Sequence, residues 1–224
     1  RTGYAVFLQP GIAGGDVTGS YVRIICSEID SAWWVGACAV DSDIEINTTR
    51  IRGNRVGVSV TAGSRGMLYG SCLEDAVGGC GVHVAASQMY FGDESSMQGT
   101  DRVAENDSTQ IAIDDGGYVL FYNNGSNSGN TVSHSDSTAR RVMLHPTAMP
   151  SSLEFAWWGS APDSSAGLFS FAKGEDYFGL SSLPPNIFFY GPALDLPQLT
   201  SCSIACNEMD PFMQVFRKPM GLPM

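Results

Sequence analysis

The segment Arg55-Val56-Gly57-Val58-Ser59-Val60 decides the fold class, because its valines recur at every second position. Successive side chains of a β-strand point to opposite faces, so this alternation is typical of a strand with one buried face. Val56, Val58 and Val60 are therefore predicted to face the same way, and Ser59 is one residue of an alternating strand. Similar short runs follow one another along the chain, which predicts an all-β protein.

About a dozen segments share this β-rich character, and Gly, Pro, Asn, Asp and Ser separate them. Their spacing of roughly 10 to 15 residues predicts an antiparallel β-sandwich or barrel with long surface loops. Asp115-Gly116 lies between two such runs and predicts a hairpin. The only weak helix candidate is 71–76, and no internal repeat is apparent. The predicted strands are residues 4–8, 21–26, 33–40, 44–46, 55–60, 81–85, 110–113, 118–122, 141–144, 153–158, 168–172, 187–190 and 212–216.

The 224 residues are predicted to form a single β-rich domain, 1–224. With 43% hydrophobic residues, such a chain can bury a core of useful size. A Pro-rich C-terminal segment, about 183–224, is expected to pack on the surface, because proline lacks the N–H group that an inner strand needs. The chain starts at Arg1 rather than Met, so we expect a domain excised from a longer polypeptide.

The charge distribution excludes several classes of partner. The chain has 12 basic against 23 acidic residues, a net charge of -11 and a pI of about 4.5. Lys173 and Lys218 are its only lysines. Such a surface is not expected to bind nucleic acid or anionic membranes. Because no apolar run approaches the roughly 18 residues of a membrane helix, no membrane insertion is predicted. Scarce basic residues also leave few sites for trypsin-like proteases, which fits a protease-exposed habitat.

The glycine-flanked Cys80 is the nearest approach to a catalytic motif. A cysteine in such a loop is typical of chymotrypsin-like viral cysteine proteases, whose base histidine lies upstream of the nucleophile. Here His83, His134 and His145 all follow Cys80, so the segment reads as a Gly-rich turn leading into a strand. No Gly-x-Ser-x-Gly elbow is present. We therefore predict a protein that is not an enzyme.

Metal and cofactor sites are not predicted either. Cys202 and Cys206 form an isolated pair without further ligands to complete a tetrahedral site. The acidic run Asp41-x-Asp43-x-Glu45 lacks the glycine and the late glutamate of a calcium loop. The sequence does not decide whether the cysteines are free thiols or bridged. The six cysteines are Cys26, Cys38, Cys72, Cys80, Cys202 and Cys206.

Two tryptophan pairs, Trp33-Trp34 and Trp157-Trp158, provide the first candidate binding residues. Since neighbours on a strand point to opposite faces, each pair should place one indole in the core and one outward. An outward Trp34 or Trp157 would be a platform for a sugar ring or a partner surface. The alternative is that a second sheet or a long loop covers the outward indole.

A small basic cluster and two polar loops complete the candidate contact residues. Arg50 and Arg52, close to Arg55, could pair with acids internally or recognise an anionic group such as sialate or sulfate. The loops 92–101 and 123–137 are long and polar, and binding residues concentrate on such loops. Their candidate contact residues are Asp93, Glu94, Asn123, Asn124, Ser126 and Asn127.

The opening strand Gly3-Tyr4-Ala5-Val6-Phe7-Leu8-Gln9-Pro10, in an acidic, Lys-poor chain rich in Gly, Ser and Asn, resembles astrovirus-type projecting spike domains of non-enveloped virus capsids. The resemblance lies in the overall character of the whole chain and not in a matching motif. It implies a dimeric β-barrel module that binds host receptors and antibodies and is released from a precursor by trypsin-like proteases, which suits Arg1. It supplies no residue-level binding site.

We therefore predict a non-enzymatic viral spike-type surface protein that mediates host-cell attachment and antibody recognition. Its expected partners are a host-cell receptor, protein or glycan, and antibodies, and its expected location is the virion surface or the extracellular space. A homo-oligomer is expected, with a dimer favoured. The alternatives are a lectin-like carbohydrate-binding module and a phage tail-fibre or head-decoration domain. A further alternative, a β-sandwich hydrolase, requires converging carboxylates or a Cys–His contact.

Overall fold

The structure of the chain is a computed structural model that describes residues 4–8, 11–13, 16–18, 20–92, 101–122, 129–135, 140–145, 147–153, 156–158, 188–189 and 213–217. The described residues contain β-strands and no helix. Among them there is accordingly no helix long and apolar enough to cross a membrane. The all-β prediction therefore agrees with this part of the chain, whereas the predicted arrangement of the strands does not.

The strands follow one another with short connections. Their bounds in chain order are β1 Tyr4–Leu8, β2 Gly11–Ala13, β3 Asp16–Thr18, β4 Ser20–Ile25, β5 Glu28–Asp30, β6 Val35–Val40, β7 Asp43–Asn47, β8 Arg50–Arg52, β9 Val56–Thr61, β10 Arg65–Tyr69, β11 Cys72–Glu74, β12 Cys80–Ala85, β13 Gln88–Phe91, β14 Arg102–Ala104, β15 Thr109–Ile113, β16 Tyr118–Phe121, β17 Thr131–Ser133, β18 Arg140–Leu144, β19 Ser151–Ser152, β20 Phe188–Phe189 and β21 Met213–Arg217.

Between β4 and β19, three sheets are built by stacking every third strand. Sheet 1 has the order β1-β6-β9-β12-β15-β18, sheet 2 has β20-β19-β16-β13-β10-β7-β4-β21, and sheet 3 has β17-β14-β11-β8-β5. Within them the strands pair in parallel, apart from the antiparallel pair of β21 with β4. The predicted antiparallel sandwich or barrel is therefore wrong. The chain forms a parallel solenoid, in which each coil contributes one strand to sheet 2, then to sheet 3, then to sheet 1.

The length of a coil can be read from side-chain hydrogen bonds between equivalent positions. Early coils place bonded residues 22 apart, and later coils place them 29 to 32 apart. The predicted hairpin at Asp115-Gly116 is also wrong, because β15 pairs with β12 and β18, whereas β16 pairs with β13 and β19. These two residues turn the chain from sheet 1 into sheet 2.

The core is made of columns of apolar side chains, one residue from each coil. In sheet 3, Ile29, Ile51, Leu73, Val103 and Val132 occupy paired positions, and all are buried. Full burial of a side chain of this kind contributes about 1.5–3 kcal/mol. Because each coil supplies one side of the next coil's core, parallel stacking is what buries these columns.

Most corners of the first four coils have a residue with positive φ directly after a strand. After sheet 2 these residues are Cys26, Thr48, Gly70 and Gly92; after sheet 3 they are Ser31, Gly53, Asp75 and Glu105; after sheet 1 they are Asp41, Ala62 and Ala86. A left-handed residue reverses the extended path sharply without needing a long loop. This geometry explains why short coils can close around one core.

The strands of sheet 3 were missed in the sequence because each is three residues long, too short to display a period of two. The weak helix candidate 71–76 contains β11 instead. In β9, Val58 and Val60 belong to the core, whereas Val56 is half-buried and outside the core cluster. A Cβ on Gly57 would approach the Gly81 carbonyl oxygen to 2.5 Å, so coils meet very closely here.

The four cysteines that the structure describes divide into two classes. Cys26 and Cys72 are disulfide-bonded, whereas Cys38 and Cys80 are free and buried. Most of the Pro-rich segment 183–224 lies outside the described residues. Its described part comprises β20 and β21, and β21 pairs with β4 at one edge of sheet 2.

Candidate functional site

A groove runs along the corner between sheet 3 and sheet 1. Its volume is about 750 Å³, which lies within the usual range for small-molecule sites. It spans the first three coils, because its residues come from the connections after β5, β8 and β11. The lining residues are Ser31, Ala32, Trp33, Trp34, Gly53, Arg55, Val77 and Gly78.

Two adjacent indoles dominate the groove. Trp33 is 65% exposed and Trp34 is 41% exposed, and both precede β6 rather than belonging to it. The prediction that one indole of this pair enters the core is therefore wrong, because opposite facing applies only within a strand. Val77, also 65% exposed, adds a third apolar surface to the same groove. Large exposed apolar side chains that line one cavity mark an interaction site.

Arg55 supplies the positive charge of the groove. Its guanidinium carbon lies 4.3 Å from the centre of the Trp34 ring, a cation–π distance. Arg55 is exposed and makes no ion pair or hydrogen bond with the residues that the structure describes. Its N–H donors therefore face solvent at the wall of the groove.

Arg50 and Arg52, the arginines predicted as contact residues, have different surroundings. Arg50 pairs with Glu74 at 3.2 Å, and Arg52 pairs with Glu28 and Asp30 at 3.1 Å each. These ion pairs join neighbouring strands of sheet 3. Of the two roles considered for these arginines, the internal role matches their geometry, and neither residue lines the groove.

The second tryptophan pair lies at the other end of sheet 3. Trp158 is 2% exposed and belongs to the core, whereas Trp157 is half-buried and forms a β-bridge to Thr131 of β17. The pair therefore has one core indole and one partly exposed indole. Sheet 3 places β17 and β5 at opposite ends, so Trp157 and Trp34 do not form one site.

The remaining predicted contact residues share one circumstance. They lie on the two polar loops, outside the residues that the structure describes. They are Asp93, Glu94, Asn123, Asn124, Ser126 and Asn127.

A hydrogen-bonded Ser–His–Asp array crosses sheet 1 on the face opposite to the core. Ser59 Oγ lies 3.1 Å from His83 Nδ1, and His83 Nε2 lies 2.8 Å from Asp114 Oδ2. The residues are 24 and 31 positions apart, which is one coil in each case. No sequence motif predicts this array, because its three residues come into register only when the length of each coil is known.

The array lacks two features that acyl transfer needs. Ser59 is 8% exposed, so its hydroxyl offers little access to a substrate. Ser59 also lies in the middle of β9, which pairs with β6 on one side and β12 on the other. The surrounding backbone N–H groups therefore bond within the sheet and do not provide an oxyanion hole. The array reads as a polar ladder that links three coils.

The free cysteines are poor nucleophiles. Burial raises the pKa of the Cys80 thiol to about 12, and burial also raises the pKa of Cys38. A thiol is reactive in its thiolate form, which both environments disfavour at neutral pH.

Metal ligands do not converge in the described part of the chain, where no group of three His, Cys, Asp or Glu residues could hold an ion. Within the acidic run considered for calcium, Glu45 bonds to Arg23 at 2.8 Å and accepts a hydrogen bond from Tyr21. Glu45 is therefore occupied by partners within sheet 2.

The Trp33–Trp34–Arg55 groove thus combines exposed aromatic surface, concave shape and unpaired donors more fully than any other described region. No protein-family model, curated protein or solved structure matches this chain, so the groove is interpreted from its own geometry.

Proposed function

We propose that the chain is a non-enzymatic recognition module that binds a glycan in the Trp33–Trp34–Arg55 groove. The observation that carries this proposal is the exposure of two adjacent indoles in one cavity of about 750 Å³. An indole offers a flat apolar face, and the C–H face of a sugar ring packs against such a surface while its hydroxyls stay hydrated. The lectin-like reading of the sequence is therefore the one that the geometry favours.

The proposed biological setting is attachment of a surface-exposed protein, of the viral spike or phage fibre kind, to a host-cell glycan. The solenoid supports this setting because stacked coils present long, rigid surfaces of the type that repeat proteins use for binding. Location at the virion surface, antibody recognition and a dimeric state stay predictions. Light scattering of the purified chain would test the dimer directly.

A glycan array with matched variants tests the binding proposal. Wild type should bind a restricted set of glycans, and Trp33→Ala should reduce affinity about tenfold or more by removing the stacking face. The control is Met149→Ala, because Met149 is 50% exposed but lies outside the groove. Absence of glycan binding by the folded wild type, or equal effects of the Trp33 and Met149 changes, would refute the proposal.

A further inference from the structure

The arginines of the described region differ in how their charge is used. Arg23 pairs with Glu45, Arg102 pairs with Glu74, and the two arginines of β8 pair with acids of neighbouring strands. Arg55 makes no such pair within the described residues, although the chain carries a net charge of -11. An exposed arginine without a carboxylate partner is therefore unusual on this acidic surface.

The position of Arg55 limits what it can bind. The guanidinium carbon lies over the Trp34 ring, 4.3 Å from its centroid, and its N–H donors have no carboxylate partner among the described residues. Trp33 and Val77 line the same groove. A planar fork of donors beside an apolar surface suits a ligand that carries a carboxylate on a ring.

We propose that the groove selects acidic saccharides, with Arg55 binding the carboxylate of a sugar whose ring stacks on Trp33. This inference rests on the proposed glycan-binding function and names its ligand class. Stacking on Trp34 restricts the guanidinium to few orientations, so little conformational entropy is lost when the carboxylate binds.

Acidic residues near the groove limit the number of negative charges that a ligand can carry. Asp30 accepts a hydrogen bond from Ser31 at 2.6 Å and pairs with Arg52, and these contacts lower its pKa. Asp107 accepts a hydrogen bond from the Gly78 N–H at 2.8 Å. Both carboxylates therefore lie next to groove residues. They repel polyanions, so a single carboxylate is favoured over a heavily sulfated chain.

The test compares glycans that differ only in one carboxylate. Wild type should bind a sialylated or uronate-bearing oligosaccharide about tenfold or more tightly than its neutral parent. Arg55→Gln should abolish this preference, so that the variant binds the acidic glycan and its neutral parent with similar affinity. Arg65→Gln is the matched control, because Arg65 lies 4.8 Å over the Tyr90 ring on sheet 2, outside the groove.

The outcomes separate the two proposals. Equal binding of acidic and neutral glycans by wild type, or an unchanged preference in Arg55→Gln, overturns the inference and leaves glycan binding standing. Preferential binding of heparin over singly charged glycans also overturns it. Failure of the folded wild type to bind any glycan overturns both proposals. Circular dichroism of each variant verifies folding, which we expect to be unaffected because the Arg55 side chain is exposed.

Discussion

Single polar residues at the corners provide hydrogen-bond acceptors for buried backbone N–H groups of the solenoid. A polar side chain from each coil accepts a hydrogen bond from the backbone N–H one coil earlier: Thr49 N–H donates to Ser71, Ser71 to Asp101, and Asp101 to Asn130. All four are buried, so these contacts replace water that cannot reach the corner. Asp101 is the one member of this ladder that carries an ionisable group.

Asp101→Asn should stabilise the protein at alkaline pH. Burial raises the pKa of Asp101 from 3.8 to about 7, so the folded state holds a proton that the unfolded state releases. Stability from this group is therefore greatest at low pH and falls as pH rises toward 7. Urea unfolding of Asp101→Asn at pH 8 should show a gain of about 2–4 kcal/mol, shrinking by about 1.4 kcal/mol for each pH unit below 7. A pH-independent difference between variant and wild type would contradict this.

At the scale of elements, the left-handed corner residues decide where each strand ends. Thr48 and Gly70 occupy the same place in successive coils, directly after β7 and β10, with φ of 47° and 59°. A β-branched residue is strained in this region, whereas glycine adopts it freely. The same corner is therefore built from a strained residue in one coil and an unstrained one in the next.

Substitutions at these two corners should have opposite signs. Thr48→Gly should raise the free energy of unfolding by up to about 1 kcal/mol, because relief of strain exceeds the added entropy of the unfolded chain. Gly70→Ala should lower it by about 1–2 kcal/mol. Urea midpoints of both variants measure the effect. A loss of stability in Thr48→Gly would show that its φ is not strained.

At the scale of the whole molecule, the solenoid places most described basic residues inside paired strands. Arg50 and Arg52 lie in β8, and Arg102 lies in β14, each between hydrogen-bonded neighbours. A protease must extract a segment from its sheet before it can cleave there. The scarcity of lysine and the pairing of these arginines in strands therefore both reduce cleavage by trypsin-like proteases.

Trypsin should therefore leave the folded solenoid intact at these arginines. Cleavage after Arg50, Arg52 and Arg102 should be at least about a hundredfold slower than in urea-unfolded protein, because it follows the small population of open coils. Mass spectrometry of timed digests identifies the sites. Rapid cleavage of the folded protein after Arg50 would contradict both the pairing of β8 and the proposed protease-exposed habitat.

The sequence by itself determined the β-rich character and most of the longer strands of sheets 1 and 2, although not β10 and β13. It also indicated Trp34 of the groove as a candidate contact residue. Alternation of apolar and polar residues indicates which side chains share a face of a strand. It does not indicate which other strand pairs with that strand. The tertiary structure decided that partner, which is one coil away at about 22 residues, and with it the parallel direction of the sheets. It also brought Arg55 over Trp34 and aligned Ser59 with His83. Contacts between coils depend on the register of stacking, which no local pattern encodes.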